Sequence, residues 1–431
     1  MSKNICQNNL LKTWQEQTVC PSYQEIQQLL TPETAIIYWH LSPQSLNTFI
    51  LKANLTQPII LSQTIKQPEQ TELPRSLQRL QEYKTWLKEW NKQYQDYRGK
   101  DKKLAKTTRP NHNWRIEMPS RLEKLKTILD IDTIQSQLSG IRQLILIPHQ
   151  DLHRLPLHLL FDSFLAQPKS TINYFPSLQI ALTLQQKPAN NSQLSLLNVE
   201  NPANDLDYAE IESVLINSMF NQSSSLDAKT ATNLEVKTKL QANHNIFHFT
   251  GHGAYNQHQP QNSSLTLTGK EQITAQEISQ LNLKSYQLIS LAACETAITG
   301  KETIDTEYVG LVSGFLEAGA TSVLSTLWTV EEISSAWLMI RFYQFYLDKK
   351  NPALALKQAQ EWLQTVTYPE LKIWLEPLRS KIKDSHPSVY AYLQDFIRDI
   401  QQDSDKMKTN HRPYKDPYYW AAFTVTGGKI L

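Results

Sequence analysis

The pattern of apolar and polar positions divides this chain into short apolar runs and longer amphipathic stretches. An apolar run of about four to eight residues closed by a turn signal is typical of a strand buried in a parallel sheet. Stretches in which apolar residues recur three and four positions apart predict helices between these strands. Strands that alternate with helices indicate a layered α/β fold. The predicted strands lie at residues 143–147, 196–199, 245–253, 288–296, 321–328 and 420–426.

The N-terminal part of the chain begins with a polar, Gln-rich segment at residues 1–33, which we expect to form a helix or a join to another element. Two apolar runs, Thr34–His40 and Leu46–Leu51, flank a polar turn and predict a hairpin. From Pro74 to Gln95 apolar and aromatic residues recur at helical spacing, which predicts a long helix with a core-facing stripe. Further helices are predicted at residues 206–219, 309–318, 333–346, 352–363 and 388–400.

Two of the predicted strands end on reactive side chains. One run closes on Gly251, His252 and Gly253, and the other closes on Cys294. Ligands collect where the carboxyl ends of parallel strands open, so we expect His252 and Cys294 to meet in one crevice. A thiol needs a neighbouring imidazole to become an effective nucleophile at neutral pH, and this pairing supplies one.

The glycines beside His252 allow a sharp turn at the strand end and a close approach of the backbone to a substrate. The N–H groups of Gly253 and Cys294 could then converge on an oxyanion, which stabilises the tetrahedral intermediate of acyl transfer. In this hypothesis Cys294 attacks a carbonyl and His252 takes the thiol proton and later protonates the leaving amine. The pattern is typical of a cysteine peptidase.

The other histidines favour structural roles. His248 and His252 have the i, i+4 spacing of helical zinc ligands, but the flanking glycines and β-rich run place them on a strand. His149, His153 and His158 follow one another closely, yet two prolines break the helix that would align them on one face. We therefore predict no metal site and no cofactor, and no clustered Asp pattern indicates calcium.

Composition adds a few exclusions. The chain has 431 residues, a formal net charge of +2 and 40% hydrophobic residues, so bulk charge demands neither nucleic acid nor an anionic membrane as a partner. The three cysteines form no Cys-x-x-Cys pair, which argues against a disulfide framework and a thiolate metal site. No signal-peptide pattern or bilayer-spanning apolar run is present, so we expect a cytoplasmic protein.

Four motifs occur together in a specific order. They are HFTGHG at His248–Gly253, LAACETA at Leu291–Ala297, FLEAGATSVLSTLW at Phe315–Trp328 and PYYWAAF at Pro417–Phe423, with a further stretch at Leu146–His158. With these motifs the sequence resembles the CHAT family, which consists of caspase-like cysteine peptidase domains of the group that includes separase, commonly found in bacteria beside tetratricopeptide repeats. The resemblance is good over residues 140–431 and weak over residues 34–140.

The resemblance implies a caspase-like α/β fold with a mainly parallel sheet flanked by helices. It implies a degenerate caspase-like half at residues 34–186, after the N-terminal segment 1–33, and a catalytic half at residues 187–431. The Cys-His dyad of the family maps onto Cys294 and His252. Where the family often has Leu-Trp-Pro-Val, this chain has Leu-Trp-Thr-Val at Leu327–Val330, which puts the local turn in doubt and leaves the dyad intact.

The resulting functional hypothesis is a regulated cysteine endopeptidase that cleaves specific protein substrates. Related peptidases often select a basic residue before the cut, and Glu295, Asp305 or Glu307 could line an acidic pocket for it. A loop after the cysteine could be ordered by cleavage or by a protein partner. The family usually carries protein-binding repeats, and residues before 34 are too few for one. Partner recognition would therefore use the N-terminal half, another chain, or a part of the protein outside this sequence.

Two other hypotheses stay open at this point. The chain could be a catalytically silent caspase-like scaffold that binds partners through its polar N-terminal helix or its Trp-containing stripe, although the presence of both dyad residues disfavours this. It could also be a thiol-dependent amidase or acyltransferase acting on a small molecule, which would need a narrow closed pocket. Cleavage of proteins rather than small amides would separate the endopeptidase from the amidase.

Overall fold

The structure is a computed structural model that describes residues 21–53, 55–61, 74–98, 111–188, 192–256, 259–294, 310–406 and 410–430. These residues form two compact units. The first unit contains residues 21–186 and residues 429–430, and the second unit contains residues 187–428.

The first unit is built on a mixed sheet. Its strands are β1 (Thr34–Leu41), β2 (Leu46–Lys52), β3 (Ile59–Ile60), β4 (Gln143–Ile147) and β5 (Thr171–Tyr174), in the spatial order β3-β2-β1-β4-β5. The first two strands are antiparallel, with Leu41 opposite Leu46, so the predicted hairpin is confirmed. Strands β1, β4 and β5 run parallel, and every residue of β4 is buried.

Helices accompany this sheet. They are α1 (Tyr23–Gln27), α2 (Arg75–Arg98), α3 (Asn113–Ile116), α4 (Met118–Ile128), α5 (Ile131–Ser136), α6 (Asp162–Leu165) and α7 (Leu178–Gln185). The long helix α2 confirms the predicted amphipathic helix, and its aromatic stripe belongs to the core. Trp86 stacks on Trp90, and Trp90 packs edge-on against the fully buried Trp114.

One cation lies inside this core. Arg79 of α2 has no exposed surface, and burial lowers the pKa of its guanidinium to about 10, so the group stays charged at neutral pH. It donates to the carbonyl oxygens of Ile128, Leu129 and Leu61 at 2.9, 3.1 and 3.0 Å and to the Thr48 hydroxyl at 3.0 Å. The guanidinium thus joins α2 to the end of α4 and to β2.

Three buried histidines make the stability of the first unit depend on pH. Burial is the main cause that lowers the pKa of His149 to about 4 and the pKa values of His153 and His158 to about 3. In the unfolded chain a histidine has a pKa of about 6.5. Below that pH the unfolded state therefore binds protons at these three histidines, whereas the histidines of the folded state stay neutral. Stability is therefore fully present above pH 6.5 and is lost as the pH falls toward 4 and 3.

We expect the free energy of unfolding to fall between pH 7 and pH 5 by about 2 kcal/mol for each of these histidines. Urea unfolding at a series of pH values measures this slope. His158→Gln should make the slope shallower, and replacement of the exposed His386 by glutamine should leave it unchanged. Equal slopes in wild type and His158→Gln would show that His158 does not contribute to the pH dependence.

The second unit contains a mainly parallel sheet. Its strands are β6 (Leu196–Glu200), β7 (Ser223–Leu226), β8 (Ile246–Ala254), β9 (Ser264–Thr266), β10 (Gln272–Thr274), β11 (Leu288–Cys294), β12 (Ser322–Thr326) and β13 (Phe423–Gly427). The order is β7-β6-β8-β11-β12-β13, and the small hairpin β9–β10 is added antiparallel to the end of β8. All neighbours from β7 to β12 are parallel, and β13 is antiparallel to β12.

Helices pack around this second sheet. They are α8 (Ala209–Asn217), α9 (Asn233–Leu240), α10 (Ala275–Ser279), α11 (Leu311–Glu317), α12 (Glu332–Lys349), α13 (Pro352–Thr365), α14 (Tyr368–Lys381) and α15 (Pro387–Lys406). Helix α12 contacts α8 and α13, and α14 pairs with α15. No helix in the described part of the chain is long and apolar enough to cross a bilayer.

The predicted fold class, an α/β structure with a mainly parallel sheet flanked by helices, is confirmed. Of the predicted N-terminal segment 1–33, residues 1–20 lie outside the described residues, and α1 provides the expected helix in the remainder. The division into a degenerate half and a catalytic half stays a prediction.

Candidate functional site

The carboxyl ends of two neighbouring strands carry the two residues singled out by the sequence. Strands β8 and β11 are parallel, and their register pairs Ile246 with Leu288 at one end and His252 with Cys294 at the other. Neighbouring strands lie about 4.8 Å apart. The backbone therefore brings positions 252 and 294 opposite each other at the sheet edge where ligands bind in α/β folds.

Strand β8 carries a polar stripe that leads to His252. Successive side chains of a strand point to opposite faces, so His248, Thr250 and His252 share one face of β8. The stripe runs from the fully buried His248 through the buried Thr250 to His252, whose side chain is 35% exposed. Apolar residues Phe247 and Phe249 occupy the other face and are fully buried.

The buried end of this stripe is a hydrogen-bonded network. The Nε2 atom of His248 lies 2.9 Å from both the Glu212 carboxylate and the Thr250 hydroxyl, and its Nδ1 atom lies 2.8 Å from the Ser290 hydroxyl. Ser290 in turn contacts the hydroxyl of Tyr343 at 2.5 Å. The network joins strands β8 and β11 to helices α8 and α12 at the buried end of the stripe.

The contact between Glu212 and His248 offsets the free-energy cost of burying these two side chains. Glu212 is 2% exposed and accepts hydrogen bonds from the Thr250 hydroxyl and His248, while His248 has no exposed surface. A carboxylate taken out of water costs several kcal/mol unless a partner satisfies it. These contacts give His248 a structural role, and they hold the buried part of β8, the strand that carries His252.

The loop after β6 lies against the end of β8. Asn201 has a left-handed φ of 38°, and its N–H donates to the carbonyl oxygen of Thr250 at 2.7 Å. A Cβ atom at Gly251 would lie 2.9 Å from the Phe249 ring and 3.2 Å from Cδ of Pro202. The absence of a side chain at Gly251 therefore permits this close approach of the loop.

This loop supplies a residue that the sequence analysis missed. The Nε2 atom of His252 lies 2.7 Å from Oδ1 of Asp205, whose side chain is 57% exposed. Asp205 follows β6, the strand next to β8, so its position at the carboxyl end of a predicted strand was the available signal. The described part of the site thus contains an imidazole and a carboxylate in direct contact.

The predicted oxyanion-hole residues Gly253 and Cys294 lie on the neighbouring strands β8 and β11. Gly253 belongs to β8 and pairs with Leu265 of β9, and the Cys294 backbone ends β11. The predicted pocket residues Glu295, Asp305 and Glu307 lie outside the described residues.

The three histidines of the first unit have other surroundings. His149 accepts a hydrogen bond from the Leu41 N–H at 2.9 Å and stacks on His40, and His158 lies 2.9 Å from the Tyr174 hydroxyl. Among the described residues, no group of three or more His, Cys, Asp or Glu could hold a metal ion.

Comparison with known proteins places this geometry in a family. The sequence matches the CHAT domain over residues 120–428, which is more than half of the chain. No curated protein sequence matches it. The resemblance found in the sequence motifs is therefore confirmed.

Two solved structures are similar to this chain. The Saccharomyces cerevisiae separase in its complex with securin is similar with a TM-score of 0.54 and 13% identity, over 78% of this chain and 29% of the separase chain. The Arg-specific cysteine proteinase gingipain R has a TM-score of 0.41 and 10% identity, over 72% of this chain and 68% of its own. The similarity to separase confirms the caspase-like fold, and the present chain spans less than a third of that protein.

Proposed function

This chain belongs to the CHAT family, and on that basis we propose that it is a regulated cysteine endopeptidase with Cys294 as nucleophile and His252 as general base. The register that sets Cys294 opposite His252 at the carboxyl edge of the second sheet is the observation that carries the proposal. The fold of separase, a member of the caspase-like group, supports it.

In the proposed reaction the Cys294 thiol gives its proton to His252, and the thiolate attacks the carbonyl carbon of the scissile peptide bond. The C–N bond breaks as the imidazolium returns the proton to the leaving amine, which leaves a thioester on Cys294. Water, deprotonated by His252, then hydrolyses the thioester, and the thiol is restored. The reaction needs no cofactor.

We further propose that the N–H groups of Gly253 and Cys294 stabilise the oxyanion that forms in both halves of the reaction. Both groups belong to strand ends on the same edge of the sheet, which supports this assignment. We propose that Glu295, Asp305 or Glu307 selects a basic residue before the cut, because a carboxylate in a pocket favours a cationic side chain.

Regulation by a protein partner is part of the proposal. The similar separase structure is a complex with securin, which shows that a protein with this fold can be held by another chain. We propose that a partner or a processing event controls the present peptidase, and that the first unit is a degenerate caspase-like half.

Cleavage of a diverse peptide library by the purified wild-type chain tests the function, with and without lysate of the source cells to supply an activator. Cuts that share one residue type before the scissile bond would support an endopeptidase and identify the pocket. Hydrolysis of small amides without any peptide cleavage would favour the thiol-dependent amidase instead.

A further inference from the structure

We propose that Asp205 is a positioning residue of the site: its carboxylate fixes the tautomer and orientation of His252 and stabilises the imidazolium that forms when Cys294 loses its proton. This inference rests on the proposed function, because it assigns a role to Asp205 only if His252 is the base. The contact that carries it is the 2.7 Å hydrogen bond between His252 Nε2 and Asp205 Oδ1.

The chemistry of the two groups defines the tautomer. An ionised carboxylate only accepts hydrogen bonds, so at 2.7 Å from Asp205 the Nε2 atom must carry the proton. In a neutral imidazole the other nitrogen then has the free lone pair. Nδ1 of His252 is therefore the atom that accepts the thiol proton of Cys294.

Charge gives Asp205 a second effect. When the proton moves from the thiol to Nδ1, His252 becomes a cation next to a carboxylate, and an opposite charge at this distance favours the charged form. The side chains are 35% and 57% exposed, so water screens the interaction and its effect on reactivity is moderate rather than extreme. The orienting effect of the hydrogen bond does not depend on this screening.

The loop that carries Asp205 is organised before any substrate binds. The Asn201 side chain accepts from the Asp205 N–H at 3.1 Å and donates to the Leu206 carbonyl oxygen at 3.0 Å, which closes the loop on itself. The Asp207 N–H donates to the Glu332 carboxylate at the start of α12 at 3.1 Å. The backbone on both sides of Asp205 is thus held, so its carboxylate stays within reach of His252.

The same loop provides a matched control. Asp207 lies two residues from Asp205, is exposed and carries the same charge. Its hydrogen bond to Glu332 uses the backbone N–H, which a side-chain substitution leaves in place. Asp207→Asn therefore changes the net charge of the loop as Asp205→Asn does, without removing the carboxylate that contacts His252.

The test measures the thiolate of Cys294 without a peptide substrate. In a full chain with Cys6→Ser and Cys20→Ser, Cys294 is the single thiol. Iodoacetamide reacts with the thiolate, which forms a C–S bond as iodide leaves, and the rate is followed from about pH 5 to about pH 10. The background chain is compared with added His252→Ala, Asp205→Asn, Asp205→Ala, Asp205→Glu or Asp207→Asn, and each protein's thermal midpoint verifies folding.

In the background chain we expect fast alkylation below pH 7, and in His252→Ala the profile of an ordinary cysteine with a pKa of about 8.5. Asp205→Asn keeps a hydrogen-bond acceptor and removes the charge, so the rate at pH 6 should fall about tenfold. Asp205→Ala should lower it further, Asp205→Glu should restore part of it, and Asp207→Asn should stay within about twofold of the background.

One result would overturn the dyad, and two others would overturn the role of Asp205. If His252→Ala keeps the background profile, the proposed Cys-His dyad is wrong. If His252→Ala shifts the profile while Asp205→Asn and Asp205→Ala do not, the dyad stands and the role of Asp205 is wrong. An equal shift in Asp207→Asn and Asp205→Asn would also overturn that role, because it would report the net charge of the loop.

Discussion

Replacement of Cys294 by alanine is expected to abolish peptide cleavage, with a loss in kcat/KM on the order of 10⁴ or more. The substitution removes the atom that attacks the carbonyl carbon, and position 294 is the β11 residue whose backbone pairs with His252. His252→Ala should have a similar effect because a thiol without its base is mostly protonated at neutral pH.

The double variant should be no worse than either single variant, since residues that act as one unit are not additive. Cys6→Ser and His386→Ala are the matched controls, which remove a thiol and an imidazole elsewhere in the chain and should keep wild-type activity. The peptide library described above is the measurement, with circular dichroism as a check that each variant is folded. Cleavage that persists in purified Cys294→Ala would refute the mechanism.

The absence of cleavage by both proteins would contradict the proposed function and not only the proposed mechanism. If neither wild type nor Cys294→Ala cleaves any peptide, even with lysate present, the chain behaves as a catalytically silent scaffold. Capture of a lysate protein on both forms would then be the expected companion observation, because binding through the surface does not require the thiol.

The strands that carry His252 and Cys294 could be predicted because their signals are local. Each of β8 and β11 contains a short stretch rich in apolar residues, and the reactive residue near its end is visible in the same stretch of sequence. Parallel neighbours in an α/β sheet share a carboxyl edge, so the meeting of positions 252 and 294 follows from fold class. The register that pairs them needed the structure.

The position of Asp205 after a predicted strand was visible in the sequence, but its contact with His252 could not be predicted, because the two residues are 47 positions apart and the contact depends on a loop. The loop conformation depends on the left-handed backbone of Asn201 and on the space left by the missing side chain of Gly251. Neither feature produces a periodic pattern of apolar residues in the sequence. Strand β7 was missed for a related reason. Its sequence, Ser-Ser-Ser-Leu, is mostly polar and exposed, and it forms a strand because it pairs with the buried β6.

Arg79 shows the limit of periodicity in a helix. A charged residue in an amphipathic helix is normally assigned to the solvated face, since arginine is almost never fully buried without partners. The partners here are carbonyl oxygens at the end of α4 and beside β2, which come from distant parts of the sequence. Only the folded unit reveals that this position is a core position.

Arg79→Met is accordingly expected to lower the free energy of unfolding by about 3–5 kcal/mol. Methionine fills part of the volume but donates no hydrogen bond, so the carbonyl oxygens of Ile128, Leu129 and Leu61 lose a buried donor. Each unsatisfied buried group costs about 1–3 kcal/mol. Arg79→Lys should fall between wild type and Arg79→Met, because one ammonium cannot reach every acceptor that the planar guanidinium spans.

The control for this substitution lies one turn earlier on α2. Arg75 is exposed and donates to Gln78 at 3.4 Å, so Arg75→Met removes the same charge from the same helix and should change stability by less than about 0.5 kcal/mol. Urea unfolding measures both variants. If Arg79→Met were as stable as Arg75→Met, the hydrogen bonds of the buried guanidinium would do no more than repay its desolvation, and the core of the first unit would depend on its apolar packing alone.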